Sequence, residues 1–453
     1  MQEHKCPTDA EIADRSPKTL KDSGWRLSRY NLFARIPGTN MHAGVNLYKG
    51  ICASYSLPEM YLYSEAEKLP VEHPIFQRFR ESGLITNHDE REALYAAGRM
   101  STAFGETVTL TIAPTMGCNF DCPYCFEQHR PGKMTSKVQD AVAALAERML
   151  KISRAKTLRV TWFGGEPFLA TDVVESLSQK LLTVSEAYGA SYRANIITNG
   201  YLLDQATVDL LGRLHVSKMQ ITLDGIQKTH DATRHLAGGS GTFDRIVHNL
   251  RTLHIPFAVH IRQNLHSGNE ADREPLEALV REISEESGND LQYFSFYVRE
   301  NPASTDRDSK IDFLRGRARL EEGLRRDVSG FRLTNGHFCG ASQLFSVGID
   351  EEGRLYKCWE NIHQPEFSFG TAETWDPEDP VRSASFPDQL TCYINAALPF
   401  DDEECRECVW LPVCMGGCPL FRLRGAKECV AYKEEPEAYV LALYRRMMQE
   451  QNK

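Results

Sequence analysis

Thirteen cysteines are distributed so unevenly along this 453-residue chain that their placement limits the fold before any other feature is considered. Cys6 and Cys52 stand alone, Cys118, Cys122 and Cys125 fall within eight residues, and the remaining eight lie between Cys339 and Cys429. Clusters of this kind in a reducing compartment read as metal ligands or catalytic thiols rather than disulfides. The chain therefore has to bring two distant cysteine-rich segments to stable positions.

The scaffold between them is legible from periodicity. Six short β-type runs, TVTLTIA (107–113), TLRVTWF (157–163), YRANIIT (192–198), SKMQITL (217–223), FAVHIRQ (257–263) and LQYFSFYV (291–298), alternate with helical stretches such as SKVQDAVAALAERMLKI and ATVDLLGRLH. That alternation predicts βα units and a parallel sheet, either doubly wound or an incomplete barrel. In both, chemistry sits where loops leave the C-terminal strand ends. Residues 1–105 read as a small α+β accessory unit, 300–310 as a linker, 311–327 as a charged helix, and 436–451 as a helix packed on the barrel.

Charge and hydropathy exclude several classes of function. A formal net charge of −10 with no basic block argues against a nucleic-acid partner. No apolar run approaches the roughly 20 residues needed to span a bilayer, and the first residues lack a signal-peptide core, so the expected location is the cytoplasm.

The first cysteine knot, MGCNFDCPYCFE, follows the first predicted strand. A four-iron cluster takes four ligands, so three thiolates leave one iron free for an exchangeable partner. Two other readings stand beside it: a thioredoxin-like pair at Cys122 and Cys125, and a zinc site with a remote fourth ligand. Strand two ends in Gly164-Gly165-Glu166-Pro167, where paired glycines permit close backbone approach and exposed carbonyls accept from an ammonium group. Strand three ends in Thr198-Asn199-Gly200 and strand four in Asp224-Gly225, groups that suit ribose hydroxyls or serve as caps and turns. Arg234 and Arg262 can pair a carboxylate or remain ordinary ion-pairing residues.

The C-x3-C-x2-C spacing, with Tyr124 before its last cysteine, resembles the signature of the radical S-adenosylmethionine (SAM) superfamily. The resemblance implies a partial (β/α)6 barrel over 106–310, a [4Fe-4S] cluster on Cys118, Cys122 and Cys125, and SAM held near Tyr124, Gly164, Gly165, Glu166, Pro167, Thr198, Asn199, Asp224, Arg234 and Arg262. It further implies reductive cleavage of SAM to a 5′-deoxyadenosyl radical, driven by a flavodoxin- or ferredoxin-type donor.

Seven C-terminal cysteines resemble the SPASM domain of peptide-modifying members, placing that domain at 311–453. One auxiliary [4Fe-4S] cluster would then use Cys339, Cys358 and Cys418, and the other Cys405, Cys408, Cys414 and Cys429, for three clusters in all. The fourth ligand of the former stays open between Cys392, another residue and a substrate atom. A zinc ribbon over Cys405 to Cys429 is the bland alternative. The substrate implied is a ribosomally made precursor peptide or a protein, cross-linked through a thioether, carbon–carbon or ether bond, with 1–105 available to hold a leader peptide. Sulfatase maturases of the same class place an aspartate after the second SPASM cysteine; here that residue is Trp359, with Asp350, Glu351 and Glu360 nearby. A non-catalytic iron–sulfur carrier is the alternative from another class.

Overall fold

The computed structural model describes residues 19–20, 23–265, 268–297 and 339–451, apart from the single positions 363, 397, 428, 431, 432 and 434. Cys6, the linker 300–310 and the charged helix 311–327 lie outside the described residues.

The N-terminal segment builds a three-stranded antiparallel sheet from β1 (Asn31–Arg35), β2 (Met41–Asn46) and β3 (Ile51–Ser56), with Ala34, Val45 and Tyr55 buried. Helix α1 (Leu57–Ser64) starts at a reciprocal cap between Ser56 and Glu59, and α2 (Pro74–Glu81) and α3 (Glu90–Ala103) follow. Asp89 caps α3 by accepting from the amides of Arg91 and Glu92.

The six predicted strands form as β4 (Thr107–Ile112), β5 (Thr157–Trp162), β6 (Ser191–Thr198), β7 (Val216–Thr222), β8 (Ala258–Leu265) and β9 (Leu291–Tyr297). Helices α4 (Ser136–Ser153), α5 (Thr171–Ala187), α6 (Gln205–Arg213), α7 (Gln227–Thr233), α8 (Phe243–Thr252) and α9 (Arg273–Ser287) connect them. All six strands are parallel and lie side by side in chain order, so the sheet has no reversal point of the doubly wound kind. Val108, Leu110 and Ile112 on one face of β4 are fully buried in the same core as Val142, Leu145 and Met149 of α4. Threonines 107, 109 and 111 occupy the other face, half-buried, which explains the period of two in the sequence.

The sheet continues beyond β4 into the cysteine-rich segment. Strand β10 (Ser346–Ile349) adds parallel to β4, and β11 (Arg354–Tyr356) and β12 (Gly370–Thr371) follow antiparallel, giving nine strands in the order β9-β8-β7-β6-β5-β4-β10-β11-β12. Helix α10 (Pro387–Ala396) and several short helical turns carry the chain to α11 (Pro436–Gln451).

Helix α11 does not lie on the barrel as its apolar stripe predicted. It packs across β1, β2 and β3, and Tyr439, Val440 and Leu443 share a buried core with Tyr30, Ala34, Val45 and Leu47 and with Trp410 and Leu411. An amphipathic helix needs only an apolar surface of matching shape, and the sequence does not say which surface that is. Arg29 and Arg91 of the N-terminal segment also hold Glu407, between Cys405 and Cys408, at 2.5 Å each.

Candidate functional site at the strand ends

The loop leaving β4 carries Cys118, Cys122 and Cys125, and the β5 loop locks onto it. The amide of Gly165 donates to the Thr115 carbonyl at 3.3 Å and that of Glu166 to the Gly117 carbonyl at 2.9 Å. A Cβ on Gly165 would lie 2.2 Å from the Gly117 oxygen and 2.7 Å from the Met116 oxygen, and Gly164 adopts φ +104°. The two glycines therefore let the β5 loop press on the backbone of the cysteine loop, a contact no side chain permits. Pro167 is buried at the start of the helical turn that follows.

Glu166 is fully buried and acts as the node of the site floor. Its carboxylate accepts from the Phe168 amide (3.0 Å), the Thr198 hydroxyl (2.7 Å) and the Asn199 amide (2.8 Å). Burial raises its pKa, against the pull of those hydrogen bonds. Asn199 in turn donates to Asn119 Oδ1 at 2.8 Å, tying the end of β6 to the cysteine loop.

Tyr124 joins the far side. Its hydroxyl donates to Asp224 at the end of β7 and accepts from Arg234 Nη1 at 2.8 Å. Asp224 also accepts from the Asn264 amide at 3.2 Å. Burial works against the charge of Arg234, yet Tyr124 and Asp224 hold its pKa above the ordinary value. Arg262 on β8 faces the same carboxylate; burial lowers its pKa and Asp224 opposes that. Phe120 pairs with Leu236 across an isolated bridge, so the segment after α7 anchors the cysteine loop from above.

Several polar atoms around this loop are buried without a hydrogen-bond partner: Asn119 Nδ2, Glu127 Oε1, Arg234 Nε and Asn264 Oδ1. Buried polar groups are ordinarily satisfied, so a ring of unsatisfied ones around three thiols fits a polar ligand seated there. Burial pushes the Cys118 thiol up to about 12 and Cys125 to about 11. Iron binding there has to release those protons. Asn119, Glu127 and Asn264 were not singled out by the sequence, because nothing in a lone polar residue tells that its partners are missing.

A second feature unread in the sequence is aromatic. Phe126 stacks on Phe163 (centroids 6.3 Å apart, 18° between planes), and Phe163 stacks on Trp359 (5.6 Å, 25°). The three rings join the loops after Cys125, after β5 and after Cys358. Of the acids near Trp359, Asp350 is fully buried against Arg130, Arg354 and Tyr356, Glu351 binds Arg130, and Glu360 pairs with Arg424.

The C-terminal cysteines fall into two neighbourhoods. Cys405, Cys408, Cys414 and Cys429 line one pocket of about 350 Å³ including its mouth, walled by Trp410, Leu411 and Val430 and by the ion pair of Glu404 and Lys433. Cys358 and Cys418 share a small buried cluster with Ala341, Tyr393 and Leu420, and burial, with lesser contributions from Cys339 and Cys418 nearby, raises the Cys358 pKa. Among the described residues no three His, Cys, Asp or Glu close on single-ion geometry.

Residues 112–257 match the Radical SAM superfamily, and this stretch is a radical SAM domain. Among curated relatives, PqqA peptide cyclase of Rhodopseudomonas palustris is 28% identical over 180 residues, 38% of this chain and 45% of that protein. The chain thus spans less than half the length of that relative. Among solved structures, native anSMEcpe with bound AdoMet and Cp18Cys peptide has a TM-score of 0.53 at 19% identity, covering 76% of this chain and 99% of that one. Streptococcus suis SuiB has a TM-score of 0.51 at 16% identity, covering 89% and 97%. These likenesses establish the α/β fold with its mostly parallel sheet. Among the described residues no helix is long and apolar enough to cross a membrane.

Proposed function

We propose that this radical SAM enzyme oxidatively modifies a peptide or protein, forming a thioether, carbon–carbon or ether cross-link in a ribosomally made precursor. The observation that carries the catalytic part is the convergence, at the ends of parallel strands, of three thiols with a ring of unsatisfied buried polar atoms. The peptide part is supported by the relative named as a peptide cyclase and by the fold likeness to a structure with a bound peptide.

When bound, the cluster on Cys118, Cys122 and Cys125 and its SAM supply a 5′-deoxyadenosyl radical that takes a hydrogen atom from a substrate carbon. The chain's own residues bind and orient. The Gly164-Gly165 backbone offers carbonyls to the SAM ammonium group while Glu166, Thr198 and Asn199 hold that loop rigid. Arg234 and Arg262 supply positive charge beside Asp224 and Tyr124, suited to the SAM carboxylate.

We read residues 1–105 as a leader-binding unit, 106–310 as a partial (β/α)6 barrel and 311–453 as a SPASM domain. Two auxiliary clusters, one on Cys339, Cys358 and Cys418 and one on Cys405, Cys408, Cys414 and Cys429, would take up the electron released as the substrate radical becomes product. A flavodoxin- or ferredoxin-type donor in the cytoplasm completes the scheme. Trp359, stacked on Phe163 where a formylglycine-forming relative would place a base, disfavours that chemistry.

The test is anaerobic reconstitution followed by reduction with dithionite in the presence of SAM. 5′-Deoxyadenosine should accumulate, and a short peptide encoded beside the gene should lose two hydrogens in mass. Fully iron-loaded protein that yields no 5′-deoxyadenosine would reduce the chain to an electron carrier.

A further inference from the structure

Seven C-terminal thiols supply four ligands to one neighbourhood and three to the other, leaving the place of Cys392 to the tertiary structure. Three observations bear on it. Helix α10, which carries Cys392, packs against the turn Gly340–Ser342 that begins at Cys339 and against the short helix Pro419–Leu423 that begins at Cys418. Cys392 and Cys418 both pack on the buried group formed by Cys358, Ala341, Tyr393 and Leu420. Tyr393, the next residue, is buried and donates through its hydroxyl to Asn361 Oδ1 at 2.5 Å, while the Asn361 amide donates to the Cys358 carbonyl at 3.1 Å. That pair of bonds fixes the register of α10 against the Cys358 loop.

The alternatives are weaker on the same grounds. The other neighbourhood already has four thiols lining its pocket, and Cys392 is not among its walls. The Cys392 thiol donates to the Gln389 carbonyl one turn back at 3.7 Å, a long sulfur contact that a rotation of one side-chain torsion releases. Its half-buried setting keeps it at the edge of the group rather than out in solvent.

We propose that Cys392 is the fourth thiolate ligand of the auxiliary cluster held by Cys339, Cys358 and Cys418. The proposal rests on the reading of these cysteines as cluster ligands. The thiol gives its proton to solvent as sulfur bonds to iron, with no change in oxidation state. The consequence is a closed site: all four irons carry protein ligands, so this cluster moves electrons and does not bind substrate.

Full-length protein with Cys118, Cys122 and Cys125 replaced by alanine isolates the auxiliary clusters, and about eight irons per chain are then expected from two four-iron clusters. In that background Cys392→Ala and Cys392→Ser should either lose about four irons or keep a cluster whose electron paramagnetic resonance spectrum shifts on addition of 2-mercaptoethanol. Unchanged iron content with a spectrum indifferent to the added thiol overturns the proposal. Iodoacetamide labelling of the iron-loaded, unsubstituted chain supplies a readout that no folding defect can disturb. Cys392 should be protected together with Cys339, Cys358 and Cys418, and all four should react once a chelator has removed the iron. Labelling of Cys392 while the other three remain protected overturns it as well. No auxiliary iron, with all seven other thiols reactive, would instead bring down the cluster reading and this proposal with it.

Discussion

The two best-defined cysteine regions are built on opposite plans. Around Cys118, Cys122 and Cys125, side chains from four different strand ends converge, and Asn119, Glu127, Arg234 and Asn264 each keep a buried polar atom unsatisfied. Around Cys405, Cys408, Cys414 and Cys429 a single stretch of chain supplies the thiols, Trp410, Leu411 and Val430 line the pocket with Glu404 and Lys433, which pair with each other, and none of the unsatisfied atoms found among the described residues belongs to a lining residue. Spare polar capacity suits a site that receives something exchangeable; a lining of apolar groups and already paired charges suits one that keeps what it binds.

That contrast can be broken most directly at the thiols. Replacing Cys118, Cys122 or Cys125 with alanine should bring 5′-deoxyadenosine formation to background, whereas Cys408→Ala or Cys414→Ala should leave SAM cleavage measurable and reduce substrate turnover. Chromatography of the nucleoside product decides it, and equal loss in both sets would erase the distinction. Gly165→Ala comes next. Its Cβ would meet the backbone of Gly117 and Met116 at 2.2 to 2.7 Å, so the loop has to move, and a displacement of that size costs on the order of 10²-fold in SAM cleavage. Gly105→Ala, whose nearest contact would be at 3.8 Å, is the neutral control.

Glu166→Gln sharpens the comparison through stability. An amide nitrogen would replace one of two oxygens that accept from Phe168, Thr198 and Asn199, turning one donor against another, at about 1–3 kcal/mol. Denaturant unfolding monitors it. His230, fully buried beneath Asp224, accepts from the Asp224 amide through Nδ1 at 3.3 Å, and burial lowers its pKa well below the usual value. The unfolded chain takes up a proton near pH 6.5 that the folded chain refuses, so this stability is present above about pH 6.5 and is lost as pH falls below it. His230→Asn should flatten the acid limb of melting temperature against pH below that value. The smallest effect is expected at Glu407, bridged by Arg29 and Arg91 but exposed to solvent that screens the pairs, where Glu407→Gln should barely move the denaturant midpoint. A larger loss would show that the N-terminal segment and the pocket of Cys405 and Cys408 are more tightly coupled than exposed ion pairs allow.

Legibility followed the range of each signal. Strands β4 to β9 were readable because alternation of apolar and polar residues is local, and β4 departs from its predicted range by one residue. Gly164 and Gly165 were readable as a close approach, but what they approach, the Met116 and Gly117 backbone, depends on the pairing of β4 with β5. The stack of Phe126, Phe163 and Trp359 joins residues up to 233 positions apart, and three isolated aromatic letters carry no trace of that meeting. Helix α11 carried an apolar stripe whose partner, the N-terminal sheet, stands some 400 residues away in the sequence.

The amino-acid sequence by itself determined the parallel βα scaffold, the cysteine groupings by spacing and the glycine-rich turn after β5, because each depends on residues within a few positions of one another. The tertiary structure alone decided that Glu166 is a buried hydrogen-bonding node, that Tyr124, Asp224 and Arg234 form one network, and that Cys392 and Cys418 both pack on the buried group around Cys358. The physical reason is the same in each case. Burial and hydrogen bonding are properties of what surrounds a side chain, and those surroundings are assembled from segments that the linear order keeps apart.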